Sequence, residues 1–207
     1  MSALPKPEPR KRMTEAEYLA YERTAEFKSE FFDGVLYPLH NPYGDLRAMA
    51  GATKPHNRVK ENLIVQLGMR FLGGPCQTFS SDQKVRLSDT GRFAYPDIVV
   101  VCGEPEDDPK DENCLANPRV VIEVLSPSTE GYDRGFKAAQ YRRSPTVQEV
   151  VFVAHDAQRV ERFTRQPDDT WLLTVFADPA GDMELASVPV RVPLADVYRG
   201  VTLPAAG

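Results

Sequence analysis

The chain has 207 residues, of which 42% are hydrophobic and 27% charged, as is ordinary for one globular domain with a packed core. It contains no apolar run of the roughly 18 residues that a membrane span needs, and its N-terminus lacks the apolar core of a signal peptide, so neither membrane insertion nor export is expected. The net charge of −5 argues against a large basic surface of the kind that coats nucleic acid.

The three cysteines, Cys76, Cys102 and Cys114, are odd in number and show no C-x-x-C spacing. This usage predicts reduced, partly buried thiols in a cytoplasmic protein and argues against a disulfide framework or a zinc site. Charge is spread unevenly, because residues 104–112 carry much of the acidic excess while four cations cluster later in the chain. The sequence therefore leaves open a local basic face, formed by Arg134, Lys137, Arg142 and Arg143.

The composition marks the first segment as a tail. Residues 1–12 are rich in Pro, Lys and Arg and poor in apolar residues, which predicts disorder. Thr14 and Glu17 then have the spacing of a capping box, which predicts a helix that continues to about Arg23. We expect a single domain over residues 13–207, since no internal repeat or linker interrupts it.

Apolar periodicity predicts the elements that follow. Residues 27–39 have the pattern of two strands joined at Asp33-Gly34, a dipeptide that suits a tight hairpin turn, and residues 41–53 that of a loop. A helix begins at Pro55 and ends before residues 73–75, because apolar residues recur every four positions. These residues are Val59, Leu63, Leu67 and Phe71.

The rest of the chain predicts a sheet with one fully buried strand. Residues 119–125 form an apolar run rich in β-branched residues, which is typical of a central strand covered on both faces. We expect a loop over residues 104–112 and a helix over residues 131–143. The other predicted strands cover residues 77–79, 84–87, 98–102 and 149–154, followed by an antiparallel meander over 160–163, 171–176 and 188–192. The predicted fold class is α/β (α+β), with a mixed central sheet flanked by helices.

An acidic residue in the middle of the buried strand is the most informative feature of the sequence. Strand alternation places Glu123 on the same face as Val121 and Leu125. An ionised carboxylate in such a strand costs several kcal/mol unless a cation or hydrogen-bond donors compensate it. The compensating group is either an arginine, in a buried salt bridge, or a metal ion.

Asp97 offers a second carboxylate at the start of a neighbouring strand, directly after Pro96. Alone, an aspartate at that position is commonly a turn or capping residue. Together with Glu123 it would form an anionic oxygen site that suits Mg²⁺, which binds one or two carboxylates and keeps several waters. Such an ion lowers the pKa of a bound water and offsets charge that grows on a phosphoryl oxygen.

Asp133, Lys137 and Tyr141 fall four residues apart on the predicted helix of residues 131–143. They are either a solvated ion pair beside a core tyrosine, or part of a site in which Lys137 faces Glu123. In that position the lysine would orient water or stabilise a phosphoryl transition state. The histidine near the start of the earlier helix, His56, is either a local hydrogen-bonding residue or a residue that lines the site.

Several motifs occur in a fixed order along nearly the whole chain. They are Glu30-Phe31-Phe32-Asp33-Gly34, His56, Tyr95-Pro96-Asp97, residues 121–129 (VIEVLSPST), and Asp133, Lys137 and Tyr141-Arg142. In this order they resemble the Uma2 family, formerly a domain of unknown function, of the PD-(D/E)xK restriction-endonuclease-like superfamily. The resemblance covers about residues 14–201, and it implies a restriction-endonuclease-like fold and Mg²⁺-dependent hydrolysis of DNA.

The resemblance also implies roles for particular residues. By position, Asp97 and Glu123 match the acidic metal ligands of the superfamily. Two positions after Glu123 the superfamily pattern has a lysine, whereas this chain has Leu125, which cannot activate water. Many Uma2-like sequences supply the lysine from the next helix, which points to Lys137. The implied supporting residues are Tyr141, His56 and Glu30, with Glu30 reaching the metal through water.

Two classes of function follow from these residues. The first is a cytoplasmic Mg²⁺-dependent DNA endonuclease, with Mn²⁺ as a substitute ion. A homodimer fits this class because cutting both strands of a duplex suits two-fold symmetry. The second is a non-catalytic member that keeps the fold and binds nucleic acid or protein, which Leu125, the acidic net charge and the lack of a fused DNA-reading module favour. Metal affinity discriminates between the two.

Overall fold

The computed structural model describes residues 11–39, 53–89, 91–126 and 129–204. Helix α1 (Glu15–Glu22) begins with the predicted capping box. The Thr14 side chain accepts a hydrogen bond from the Glu17 N–H at 3.3 Å, and the Glu17 carboxylate accepts one from the Thr14 N–H at 2.7 Å. These two bonds satisfy backbone donors that would otherwise lack a partner at the start of the helix.

The predicted hairpin is confirmed as β2 (Ser29–Phe32) and β3 (Val35–Pro38). Its turn residues have positive φ angles, 52° at Asp33 and 82° at Gly34, a conformation that aspartate and glycine tolerate better than most residues. The following predicted loop lies outside the described residues, apart from Thr53.

The predicted tail is wrong at its last two residues. Strand β1 (Lys11–Arg12) pairs antiparallel with β3, whose outer edge would otherwise leave backbone donors and acceptors without strand partners. The rest of the predicted tail, residues 1–10, lies outside the described residues.

Helix α2 (Lys54–Phe71) confirms the second predicted helix. Thr53 caps it, because its side chain accepts a hydrogen bond from the His56 N–H at 3.3 Å. All four of its predicted core residues are buried, and burying a side chain of this kind contributes ~1.5–3 kcal/mol. They are Val59, Leu63, Leu67 and Phe71.

A six-stranded mixed sheet forms the centre of the molecule, in the order β13-β12-β11-β10-β7-β4. Strand β10 is an inner strand of this sheet, which pairs parallel with β11 and antiparallel with β7. All six of its residues are buried, as the apolar run predicts. The strands are β4 (Cys76–Ser80), β7 (Ile98–Cys102), β10 (Val120–Leu125), β11 (Glu149–Ala154), β12 (Val160–Arg165) and β13 (Trp171–Phe176).

A second sheet of seven strands has the order β1-β3-β2-β6-β5-β9-β8. The strands not yet described are β5 (Lys84–Ser88), β6 (Arg92–Ala94), β8 (Asp107–Asp108) and β9 (Asp111–Leu115). The prediction of an acidic loop over residues 104–112 is therefore wrong in part, because β8 and the start of β9 lie within it. These strands form because distant cations neutralise their acids: Arg86 pairs with Asp108, and Lys84 lies 2.6 Å from Asp111.

The C-terminal meander is confirmed only for its first two strands. β12 and β13 continue the central sheet antiparallel, whereas β14 (Asp182–Leu185) and β15 (Val190–Pro193) form a separate hairpin sheet. A short helix, α5 (Leu194–Val197), follows it.

The predicted helix over residues 131–143 is present but is not α-helical throughout. It consists of α3 (Glu130–Tyr132), a π-helical segment (Asp133–Lys137) and α4 (Ala138–Arg143). In the π segment the Ala138 N–H donates to the carbonyl of Asp133, five residues earlier. Such π turns are rare and often occur at functional sites.

Both faces of the central sheet are covered. One face packs on α2, β14, β15 and α5, and the other packs on the second sheet and α4. Helix α1 covers the far side of the second sheet, where Tyr18 stacks on Phe31 with ring centroids 4.7 Å apart. The space between the two sheets is where the charged side chains described below meet.

The prediction of three reduced thiols is wrong. Cys76 and Cys102 form a disulfide between the directly paired strands β4 and β7, while Cys114 is free and buried. The pairing was hidden from the sequence because 26 residues separate the two cysteines. It removes the cysteine argument for a cytoplasmic location. In the part of the chain that the structure describes, no helix is long and apolar enough to cross a bilayer.

Candidate active site

Asp97 and Glu123 meet where strands β7 and β10 lie side by side. The Asp97 N–H donates to Glu123 Oε2 at 3.4 Å, and the Val124 N–H donates to Asp97 Oδ2 at 2.9 Å. Each carboxylate is thus held by the backbone of the other's strand. This reciprocal pairing is a consequence of the register, in which Ile122 lies opposite Ile98 and the two acids flank that pair.

Glu123 is on the predicted face of β10 and is only 4% exposed. Its Oε1 accepts a hydrogen bond from the Tyr141 hydroxyl and lies 2.8 Å from Lys137 Nζ. Burial raises the pKa of Glu123 to about 8; Lys137 opposes this rise, while Asp133 and Asp97 add to it. The compensating cation is therefore a lysine and not an arginine, and its charge does not fully offset the burial.

His56 contacts the same oxygen of Asp97, Oδ2, that accepts the Val124 N–H. It extends from the first turn of α2 so that its Nε2 lies 3.3 Å from Asp97 Oδ2. Burial acts to raise the pKa of Asp97, but the hydrogen bond and charge of His56, the Val124 N–H and Lys137 outweigh it and lower the pKa. His56 therefore lines the site.

Lys137 reaches the site from the π segment and is 4% exposed. Its Nζ lies 2.8 Å from Glu123 Oε1 and 3.0 Å from Glu30 Oε1, and it donates to the carbonyl of Tyr95 at 3.2 Å. Burial acts to lower the pKa of Lys137, but Glu123, Glu30 and Asp133 raise it well above its ordinary value. The amine is consequently a fixed cation with three acceptors, and a solvated Asp133–Lys137 pair is ruled out.

Glu30, on β2, brings a third carboxylate to the same amine and is fully buried. Its Oε1 accepts from the Tyr95 N–H at 3.1 Å, and its Oε2 accepts from the Tyr132 hydroxyl at 3.0 Å. The second sheet thus contributes directly to the charged cluster between the sheets.

Asp133 and Tyr141 complete the cluster from the helix side. Asp133 is 5% exposed, and burial raises its pKa to about 6 against the opposing effects of Lys137 and Thr129. Tyr141 is fully buried, and burial together with Glu123 raises its pKa, so its hydroxyl is a donor to the carboxylate. Asp133 and Lys137 lie in the π segment and Tyr141 in α4, so one helical stretch supplies all three residues.

The charges of this cluster are what a divalent cation would complement. Four carboxylates converge, and in the described residues Lys137 is the only lysine or arginine that forms an ion pair with any of them. They are Glu30, Asp97, Glu123 and Asp133. No three His, Cys, Asp or Glu side chains are grouped tightly enough to hold a metal ion within the described ranges. Mg²⁺ does not require such a group, since it uses one or two carboxylates and retains waters.

The structure thus brings all six predicted site residues into one connected cluster. Sequence reasoning missed Tyr132, whose hydroxyl binds Glu30, and Tyr95, which contributes its backbone N–H and carbonyl. No sequence pattern reports a backbone contact, so only the position of Tyr95 before Pro96-Asp97 could have pointed to it. The basic face that the sequence left open does not form as one surface: Lys137 is buried, and Arg134 pairs with Glu130 and Glu161.

Comparisons with known proteins agree with the motif order. The sequence profile of the Uma2 family, described as "Putative restriction endonuclease", matches residues 15–195. Two relatives from Synechocystis sp. are each 31% identical to this chain. They are the uncharacterized protein slr1290, matched over 190 residues (92% of this chain, 93% of the relative), and the uncharacterized protein sll1609, matched over 178 residues (86% and 95%).

Comparison with solved structures supports the fold. The crystal structure of a putative nuclease belonging to DUF820 from Anabaena variabilis matches with a TM-score of 0.68 over 90% of this chain and 97% of that one. Its sequence is 17% identical, so the match establishes the predicted fold class and not the chemistry.

Proposed function

Because this chain belongs to the Uma2 family of restriction-endonuclease-like proteins, as its motifs predicted, we propose that it is a Mg²⁺-dependent endonuclease that hydrolyses DNA phosphodiester bonds. One observation carries the proposal. Asp97 and Glu123 are locked together between neighbouring strands, in a buried cluster that has more carboxylates than cations. Burial raises the pKa of Glu123 and of Asp133, so the ionised forms are disfavoured as the cluster stands, and a cation bound there would favour them.

In the proposed site Asp97 and Glu123 would hold the ion, with Mn²⁺ as a substitute for Mg²⁺. When bound, the ion would lower the pKa of a water and offset charge on the phosphoryl oxygens. The Lys137 ammonium adds a positive charge beside Glu123, where it would stabilise the extra negative charge of the phosphoryl transition state. Leu125 cannot do this, so the helix replaces the strand as the source of the lysine.

Tyr141 and His56 would orient the two carboxylates that hold the ion. The Tyr141 hydroxyl donates to Glu123 and fixes the direction in which its carboxylate points. His56 does the same for Asp97 from α2. Partners that orient a ligand in this way commonly change metal affinity or activity about 10–100-fold when removed.

The proposal includes a homodimer, because two copies related by a two-fold axis would present one such cluster to each strand of a duplex. Sedimentation at several protein concentrations tests this part separately from the chemistry. A chain that stays monomeric would limit the proposal to cutting one strand at a time.

Plasmid cleavage tests the chemistry. Purified protein with supercoiled plasmid and Mg²⁺ should nick or cut it, and Asp97→Asn and Glu123→Gln should abolish this activity. Glu149→Gln is a matched control, because Glu149 is also a buried glutamate but has its partners away from the site. It accepts hydrogen bonds from Thr164, Ala186 and Ser187 and forms an ion pair with Arg162. Activity that survives in both site variants would refute the assignment. Folded wild-type protein that binds neither Mg²⁺ nor Mn²⁺ would instead favour the non-catalytic member predicted as the alternative.

A further inference from the structure

Three protein donors occupy most of the hydrogen-bonding capacity of Glu30. The side chain is fully buried, and its two oxygens receive the Tyr95 N–H, the Tyr132 hydroxyl and the Lys137 ammonium. The family resemblance implied a contact between Glu30 and the metal through water. All three donors are protein groups, which leaves the carboxylate about one of its roughly four acceptor positions.

The three acceptors of Lys137 divide into two kinds. Glu123, which lies 2.8 Å from the amine, is one of the two carboxylates proposed to hold the ion, so this carboxylate would serve both the amine and the ion. Glu30 and the Tyr95 carbonyl are not among the proposed ion ligands, so the amine does not share them with the ion. An ammonium has three donors. Two of them would therefore stay fixed even when Glu123 turns toward a cation.

Tyr95 connects these two dedicated acceptors. Its N–H donates to Glu30 and its carbonyl accepts from Lys137, so one peptide segment determines the separation of the carboxylate and the amine. Its hydroxyl donates to Glu22 of α1 at 2.9 Å, and Glu22 in turn accepts from the N–H and hydroxyl of Ser29, next to Glu30. Hydrogen bonds thus connect Tyr95 to both the second sheet and α1.

We propose that Glu30 is the positioning residue for Lys137: it is the permanent counter-charge that holds this helix-borne lysine beside Glu123. We call the contacts of Lys137 with Glu30 and the Tyr95 carbonyl the clamp. Its effect on catalysis rests on the proposed function, whereas the clamp itself is a property of the folded chain. It explains how a lysine 14 positions beyond Glu123 can replace one placed two positions after it. A strand lysine is positioned by its own backbone, whereas a lysine on a helix needs an anion from another element.

The clamp can be tested without any activity. Ammonium protons of a lysine are seen in ¹H–¹⁵N NMR spectra only when burial and hydrogen bonds slow their exchange with water. We expect such a signal from Lys137, assigned by its loss in Lys137→Met, and a second from Lys84, which pairs with Asp111 in the second sheet and serves as an internal reference. Glu30→Gln should speed exchange of the Lys137 protons enough to broaden or remove their signal, and it should leave the Lys84 signal unchanged.

Two further variants keep this test decisive. Tyr132→Phe removes only the hydrogen bond to Glu30 Oε2 and should speed Lys137 exchange to a smaller extent, even if Glu30→Gln folds poorly. Glu149→Gln removes a buried carboxylate elsewhere and should leave both lysine signals as in wild type. A Lys137 signal that is absent from wild type, or equally slow in Glu30→Gln and Tyr132→Phe, would overturn the clamp.

Kinetics and metal binding then separate positioning from ligation. Glu30→Gln should lower kcat by about 10–100-fold, with the KM for plasmid and the Mn²⁺ affinity changed by less than about 3-fold. A loss of Mn²⁺ affinity equal to that of Glu123→Gln would assign Glu30 to the metal site instead, and an unchanged kcat would also contradict the proposal. If wild type cleaves nothing, the proposed function fails, while the NMR result still decides the clamp.

Discussion

Replacing Lys137 by methionine tests the charge distribution of the site most sharply. The change keeps the length of the side chain but leaves Glu30 and Glu123 without their common cation and the Tyr95 carbonyl without a donor. Removing one partner of a buried ion pair costs ~3–5 kcal/mol, because the remaining charge stays buried without compensation. In a domain of this size each kcal/mol lowers Tm by about 2–4 °C, so we expect Tm to fall by about 6–20 °C.

Thermal unfolding followed by circular dichroism measures the fall in Tm in EDTA and how much of it Mg²⁺ reverses. Mg²⁺ at about 100 times its Kd stabilises any folded variant that keeps the site by ~2.7 kcal/mol. Lys137→Met should gain more than wild type, so that its deficit narrows, since the ion there also supplies the missing positive charge. Lys84→Met is the matched control, because Lys84 is equally buried but pairs with the single carboxylate of Asp111. In EDTA it should lose a similar Tm, and its deficit relative to wild type should stay the same in Mg²⁺, because wild type and Lys84→Met keep the same ion site. Equal behaviour of the two variants in Mg²⁺ would refute the reasoning.

Two other predictions concern stability away from the site. Hydrogen bonds from Arg134 and Arg159 outweigh burial and lower the pKa of Glu161, so its stabilising effect is present above its ordinary pKa of 4.5 and is lost as the pH falls through the folded value. Urea unfolding should therefore show Glu161→Gln less stable than wild type by about 1 kcal/mol at pH 7, and the gap should close on acidification; a gap that persists at low pH would contradict this. Reducing the disulfide, which closes a loop of 26 residues, should cost ~3.5 kcal/mol, and thiol titration of the unfolded chain should count one free thiol before reduction and three after it. Three thiols without reduction would disprove the bridge.

The fold was predictable wherever one periodicity dominated. The four-residue repeat of α2 and the β-branched run of β10 identified both elements, because each pattern is set by the burial of neighbouring residues in the chain. The acidic strands β8 and β9 were missed for the opposite reason. Asp108 and Asp111 are neutralised by Arg86 and Lys84, whose proximity depends on the assembled sheet.

The site was predictable where a residue departs from the pattern around it, as a charged residue does in an apolar strand. Glu123 is conspicuous inside an apolar strand, and Lys137 follows from the motif order once Leu125 excludes the usual position. The anchoring contacts were not predictable, because the peptide groups of Tyr95 carry them. The π turn was also hidden, since Asp133, Lys137 and Tyr141 are spaced as they would be on an ordinary α-helix.

The central claim is that Asp97 and Glu123 share one divalent cation, and calorimetric titration with Mn²⁺ measures this most directly. We expect one Mn²⁺ per chain in wild type, an affinity at least about 10-fold weaker in both Asp97→Asn and Glu123→Gln, and no change in Glu149→Gln. Folded wild-type protein that takes up no Mn²⁺, or site variants that bind it as tightly as wild type, would contradict the account.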